Sequence, residues 1–137
     1  MSDCVFCGIV AGRIPCSKVY EDELTLAFMD IGEVNPGHVL VAAKAHVENI
    51  YGLNATLAAA IFQTAARMAR ALNTAYAPEG VMLYQANGVA AGQTVFHFHI
   101  HLVPRYRRDG LRLTWPTQNP AREQLEANAS RLRAALE

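Results

Sequence analysis

Three histidines at alternate positions, His97, His99 and His101, are the stretch of this chain best equipped for chemistry. Imidazole changes charge near neutral pH and serves as nucleophile, general acid or base, or metal ligand. Side chains alternate across a strand, so residues two apart share a face. The run therefore predicts a strand from Val95 to Val103 with three rings on one side. Phe96, Phe98, Ile100 and Leu102 would anchor its other side in the core, and Pro104 would stop it. One histidine on such a face is ordinarily a hydrogen-bonded core residue, whereas three on one face read as a site with His99 at its centre.

The segment before this strand, Asn87 to Gln93, is small and glycine-rich. Gly88 and Gly92 would let backbone N–H groups approach an anion, and Gln93 with Thr94 adds neutral hydrogen-bonding groups. A phosphate held there would lie beside the histidine face. A second feature is Cys4-x-x-Cys7: half of a zinc site, a redox pair, or two unrelated thiols. A redox motif should follow a strand inside a βαβ unit, and no strand is expected before Cys4. Spacing also leaves open a catalytic zinc held jointly by His97, His99 and His101.

These groups need a frame to position them. Val5 to Val10 reads as a short helix, ended by Gly12 and Pro15. Lys18–Tyr20 and Thr25–Met29 read as strands around the turn Glu21-Asp22-Glu23. Asn35-Pro36-Gly37 is a turn, followed by a strand from His38 to Ala43. Leu57, Ile61, Ala65, Met68 and Leu72 recur at steps of three and four, which predicts a helix from Asn54 to Ala77. Asn54 would cap it, and Pro78 with Gly80 would end it. Val81–Gln85 reads as a further strand. Leu125, Ala129, Leu132 and Leu136 mark a last amphipathic helix, about 120–136. Strands joined mostly by turns around one long helix indicate an α+β domain spanning 1–137, with a mainly antiparallel sheet.

The 137 residues are 52% hydrophobic and 18% charged, a compact composition. Twelve basic side chains balance twelve acidic ones, which argues against gripping a nucleic-acid polymer through a general basic field. No stretch has the roughly 18 apolar residues of a membrane span. Met1-Ser2-Asp3-Cys4 opens no secretion signal, so a cytoplasmic protein is expected.

The segment Asn87 to Arg105 resembles the signature of the histidine triad (HIT) superfamily. Asp30 together with Pro36 to Val41 resembles its second block, and Cys4 to Pro15 the N-terminal block of its bacterial Hint-like members. The likeness runs over residues 4 to 116. It implies a HIT-like fold, with five strands, a long central helix and a C-terminal helix, paired as a homodimer. The implied substrates are purine nucleotides or their conjugates, cut at the α-phosphate without an organic cofactor. The resemblance makes His99 the nucleophile, His101 a phosphate contact and His38 an orienting group. Asp30 would take the ribose hydroxyls. Gln93 and Thr94 would hold the phosphate, with Gln93 near the leaving group and Val95 a further substrate contact; Ala86 sits where many relatives carry Asn or Gln near the substrate, a role Asn87 would fill from the next position. Val5, Phe6, Ile9, Phe28 and Ile31 would clamp the base, although without the resemblance these five read as ordinary core.

Members carrying the cysteine pair often complete a zinc tetrahedron with two histidines. That implies one structural zinc per chain on Cys4, Cys7, His46 and His97, anchoring a segment 1–16. Cys16 stays outside it. Arg105, Arg107 and Arg108 are either a solvated loop or contacts for extra phosphates, and Trp115 either packs locally or reaches across a dimer. Two other functions fit the resemblance: a Fhit-like diadenosine polyphosphate hydrolase, and a zinc-stabilised nucleotide-binding module with little turnover.

Overall fold

The computed structural model describes residues 3–137; Met1 and Ser2, which begin the expected metal-linked segment, lie outside the described residues. The order is α1 (Val5–Val10), β1 (Lys18–Glu21), β2 (Thr25–Met29), β3 (Val39–Ala43), α2 (Ala55–Tyr76), β4 (Gly80–Tyr84), β5 (His99–Arg105) and α3 (Arg122–Ala135). Short 3-10 turns occupy Ile50–Gly52 and Val89–Ala91. The five strands form one sheet in the order β1-β2-β3-β5-β4, with every neighbouring pair antiparallel.

Helix α2 starts where Asn54 Oδ1 accepts the Leu57 N–H at 2.8 Å, and it stops at Ala77, which turns left-handed at φ 45°. Its stripe of Leu57, Ile61, Ala65, Met68 and Leu72 is buried against Ala27, Val41, Ile100 and Leu102. Polar groups fix its rotation as well. The buried hydroxyls of Thr64 and Thr25 meet at 2.8 Å, and Asp22 accepts from Leu24 N, Thr25 N and the Thr25 hydroxyl. On the other face of the sheet, Phe6 of α1 packs with Leu26, Phe28, Leu40 and Ala42. The sheet is thus a septum with α2 behind it and α1 in front.

The last strand departs from its sequence expectation in three ways. It begins at His99, four residues later than Val95. Residues before it leave the ladder: the Phe98 N–H goes to Val47 O, and Phe98 O takes the Ala43 N–H. Alternation therefore fails at Phe96, which is 38% exposed, and the apolar anchor is Phe98, Ile100 and Leu102. Pro104 does not stop the strand. Pairing with β3 ends at Leu102, so Pro104 meets only β4, across from Val81, where its missing N–H costs no bond to β3. Helix α3 forms, but Leu125, Leu132 and Leu136 stay exposed, so its stripe is not part of the core.

The Asn35-Pro36-Gly37 turn leads into β3 through Gly37, at φ +99°. A Cβ there would come within 2.9 Å of the Tyr76 ring and 3.1 Å of Pro104. Gly37→Ala is expected to cost about 2–3 kcal/mol through backbone strain and the clash, read as a lowered midpoint in denaturant unfolding. An unchanged midpoint would count against this account of the turn.

Candidate functional site

His97, though outside the strand, is fully buried and anchored twice. Its Nε2–H donates to the Ala43 carbonyl at 2.6 Å, which leaves Nδ1 as an acceptor. That nitrogen lies 3.3 Å from Cys4 Sγ and 3.6 Å from Cys7 Sγ, while His46 Nδ1 lies 3.2 Å from Cys7 Sγ. All four ligand atoms fall within 4.8 Å of one another. A tetrahedral zinc with Zn–S about 2.3 Å and Zn–N about 2.0–2.1 Å needs S···N edges of about 3.6 Å, and these three S···N distances lie within a few tenths of an ångström of that value. The Ala43 carbonyl is the outer contact that fixes the tautomer of a ligating histidine. Burial first, then the hydrogen bond and charge of Cys4, raise the Cys7 thiol pKa. A divalent cation would favour the thiolate instead.

His99 is positioned by the same residue. Its Nδ1–H donates to the His97 carbonyl at 2.6 Å, so a neutral ring carries its free lone pair on Nε2. Burial is the main cause that lowers the His99 pKa and favours this neutral form. His101 is set differently. His38 Nδ1 accepts the Val34 N–H at 3.2 Å, which puts the His38 proton on Nε2. That nitrogen lies 2.9 Å from His101 Nδ1 and 3.3 Å from Asp30 Oδ2. His101 Nδ1 is then an acceptor, and its proton sits on Nε2. One ring offers a lone pair and its neighbour, 4.9 Å away between centroids, offers an N–H.

Both rings line a cleft of about 300 Å³. Its wall includes Val5, Phe6, Ile9, Phe28, Asp30, Ile31, Thr94 and Val95. Ten of the residues expected at a ligand site therefore meet in one cavity. Ile14, Pro15 and Cys16, which sequence reasoning left out of it, line the same end. They arrive because the chain returns from α1 toward the start of β1, a path no local pattern reveals.

Other expected contacts are engaged elsewhere. Gln93 is buried, and its side chain accepts the Gly88 N–H at 2.7 Å and donates to Glu48 O and Val95 O. It braces the glycine loop and does not line the cleft. Asn87 likewise accepts the Ile50 N–H at 2.8 Å and is paired in both directions with Gln85. His38 is buried behind His101. Asp30 turns one oxygen to the Gly32 N–H and the other toward His38 and His101, at 3.3 and 3.6 Å. Arg105 is committed to Asp109, with Nε at 2.7 Å, and to the Leu111 carbonyl, so it does not present a free charge to phosphate. Among the described residues, no protein acceptor takes the Thr94 or Val95 backbone N–H.

A HIT domain family model matches residues 11–108, and the chain belongs to that family. It is similar to a HIT family protein from Bacillus anthracis, with 42% identity, a TM-score of 0.94 and 98% of each chain covered. It is 36% identical to adenosine 5'-monophosphoramidase hnt1 of Schizosaccharomyces pombe over 90% of this chain and 91% of that one. A Zn-bound histidine triad family protein from Mycobacterium smegmatis shares 35% identity, with a TM-score of 0.77 and coverage of 98% and 99%.

Burial, then the charges of His99 and His38, push the His101 pKa from 6.5 down to about 4, against the raising effect of Asp30. The unfolded chain therefore binds the extra proton first as pH falls below 6.5. Stability is untouched above that value and declines toward pH 4, by about 3 kcal/mol for this one group. Thermal melts from pH 7 to 4 are expected to show a shallower decline for His101→Asn than for the parent. Superimposable slopes would show that His101 does not carry the acid sensitivity.

Proposed function

We propose that this protein is a nucleotide hydrolase or nucleotidyl transferase acting at the α-phosphate of a purine nucleotide conjugate, a phosphoramidate or adenylylated amine. The observation that carries the reading is the tautomer of His99: with Nδ1–H held by the His97 carbonyl, Nε2 is a nucleophile in the cleft. Nε2 attacks phosphorus, and the bond to the leaving nitrogen breaks as the Nε2–P bond forms, the amine departing with a proton taken from solvent. Water then attacks phosphorus, gives up a proton to solvent and displaces His99, which is left neutral as the mononucleotide departs. His101 Nε2–H, with the Thr94 and Val95 N–H groups, stabilises the charge that gathers on the phosphoryl oxygens. The base lies among Val5, Phe6, Ile9, Phe28 and Ile31, and Asp30 takes the ribose hydroxyls with whatever acceptor capacity His38 and His101 leave it. Gln93 and Asn87 shape the phosphate loop from behind. The name of the fission-yeast relative supports an amine as leaving group. With Arg105 tied to Asp109, no observation favours a dinucleoside polyphosphate instead.

The metal we propose is one structural zinc per chain on Cys4, Cys7, His46 and His97, supported by the ligand geometry and by the Zn-bound mycobacterial relative. A closed tetrahedron supplies cross-linking and no open position for substrate. The assembly we propose is a cytoplasmic homodimer, supported by the unpaired edge of β4 and the exposed stripe of α3. No described helix is long and apolar enough to cross a membrane.

His99→Asn is expected to lower turnover of an adenosine phosphoramidate by about three orders of magnitude or more while AMP still binds by calorimetry. A covalent nucleotide should be trapped on His99 by mass spectrometry during turnover. If the parent protein binds AMP but turns over neither amidates nor diadenosine polyphosphates, the binding-module reading replaces this one. Cys7→Ser should drop zinc, measured by elemental analysis, from about one per chain to well below it and lower the melting temperature. Full zinc occupancy in that variant would remove Cys7 from the ligand set.

A further inference from the structure

His101 is confined on every side but one. His38 holds its Nδ1, and His99 stands 4.9 Å away at a tilt of 59°. The remaining flank is closed by Tyr84, which faces His101 across the β4–β5 ladder. The two rings stack, with centroids 4.1 Å and planes 6° apart. A hydrogen bond to Nδ1 fixes one atom of an imidazole and leaves the ring free to tip about that contact. A parallel ring against its face fixes the plane.

We propose that Tyr84 is a positioning residue: its ring face sets the plane of His101 so that Nε2–H points at the α-phosphate. This rests on the proposed role of His101 as a phosphate donor. The face of Tyr84 does the work, not its hydroxyl, which makes no hydrogen bond among the described residues. Burial, then the charge of Asp30, raise the phenol pKa, so it remains a neutral aromatic group. As negative charge grows on the phosphoryl oxygens, the His101 N–H gains positive character. The electron-rich face of an aromatic ring stabilises such a group. The ionisable side chains gathered around His101 are His38 beside β3, His99 on β5, Asp30 after β2 and Tyr84 on β4. Tyr84 is the one ring among them that is not an imidazole. Its flank also borders a second cavity of about 470 Å³ that Trp115 helps to line, so without Tyr84 the imidazole face would be open to solvent from that side.

The test compares Tyr84→Phe with Tyr84→Val in the full-length, zinc-loaded protein; valine preserves strand propensity but removes the flat face. Phenylalanine should keep kcat on an adenosine phosphoramidate within about twofold of the parent, whereas valine should lower kcat about three- to thirtyfold with KM changed by less than about twofold. Two-bond 1H–15N spectra of histidine-labelled protein should show the Nε2–H tautomer of His101, which His38 sets, in all three proteins, with sharp His101 signals in the parent and Phe variants and exchange-broadened ones in the Val variant, where the ring is free to tip. Parental kcat with an unaltered His101 signal in Tyr84→Val would overturn the proposal. So would a Phe variant as impaired as the Val variant, which would move the role to the hydroxyl. A loss of kcat that follows a change in mass by light scattering, with the His101 signal intact, would also overturn it. The spectra require no substrate, so they test the stack even if His99 proves not to be a nucleophile.

Discussion

The site depends on one residue that uses both ends of its polarity. The His97 ring donates to the Ala43 carbonyl and turns its other nitrogen toward Cys4 and Cys7, while the His97 backbone carbonyl accepts the proton of His99. The second use requires His97 to lie outside the β-ladder. In an unbroken strand its carbonyl would be offered to a neighbouring strand, and His99 would lose the contact that selects its tautomer. The late start of β5 at His99 is therefore a condition of that tautomer. The departure is anchored locally, because Phe98 carries its backbone groups to Val47 and Ala43, and its buried ring stays in the core behind the sheet.

The cysteine–histidine cluster extends this dependence to α1. Cys4 caps that helix, its sulfur accepting the Cys7 N–H, and the same six-residue helix presents Val5, Phe6 and Ile9 to the cleft. A helix so short has little stability of its own. Its position comes from Phe6, packed edge-on to Phe28 at 5.2 Å and to His99 at 4.9 Å, and from the cysteines gathered around His97 and His46. An ion there would tie the floor of the apolar pocket to the strand that carries the histidines. The Cys–His cluster and the cleft are adjacent parts of one arrangement, so disrupting the first should loosen the second.

Much of this was legible in the sequence where a short-range period encodes it. The steps of Leu57, Ile61, Met68 and Leu72 define α2, and the alternation of His99, Ile100 and His101 assigns faces on β5. The Cys-x-x-Cys pair and the ring of His97 do meet, with His46. What stayed hidden depends on register and on competition for hydrogen bonds. Tyr84 matters because β4 is registered so that it opposes His101, and no feature of residues 80–84 alone announces that. Gln93 and Asn87 look like ligand contacts by type, yet backbone groups at Gly88 and in the 48–50 segment claim them first. Arg105 looks like a free cation until Asp109, four residues on, folds back on it. Phe96 satisfies a period-two pattern that the backbone abandons before reaching it.

Two fixed backbone groups determine what the histidines can do. The His97 carbonyl can only accept, which puts a proton on His99 Nδ1 and a lone pair on Nε2. The Val34 N–H can only donate, which makes His38 Nδ1 an acceptor, His38 Nε2 a donor and, one ring further, His101 Nε2 a donor. An acceptor and a donor thus stand side by side in the cleft although the two side chains are chemically identical. The assignment holds only while the rings are neutral, because a doubly protonated imidazole donates at both nitrogens. Burial preserves neutrality: desolvation is the main cause lowering the pKa of His38, His99 and His101 alike. Burying three imidazoles against one sheet face weakens the fold in acid, and in return each ring holds a single proton on a nitrogen chosen by the backbone.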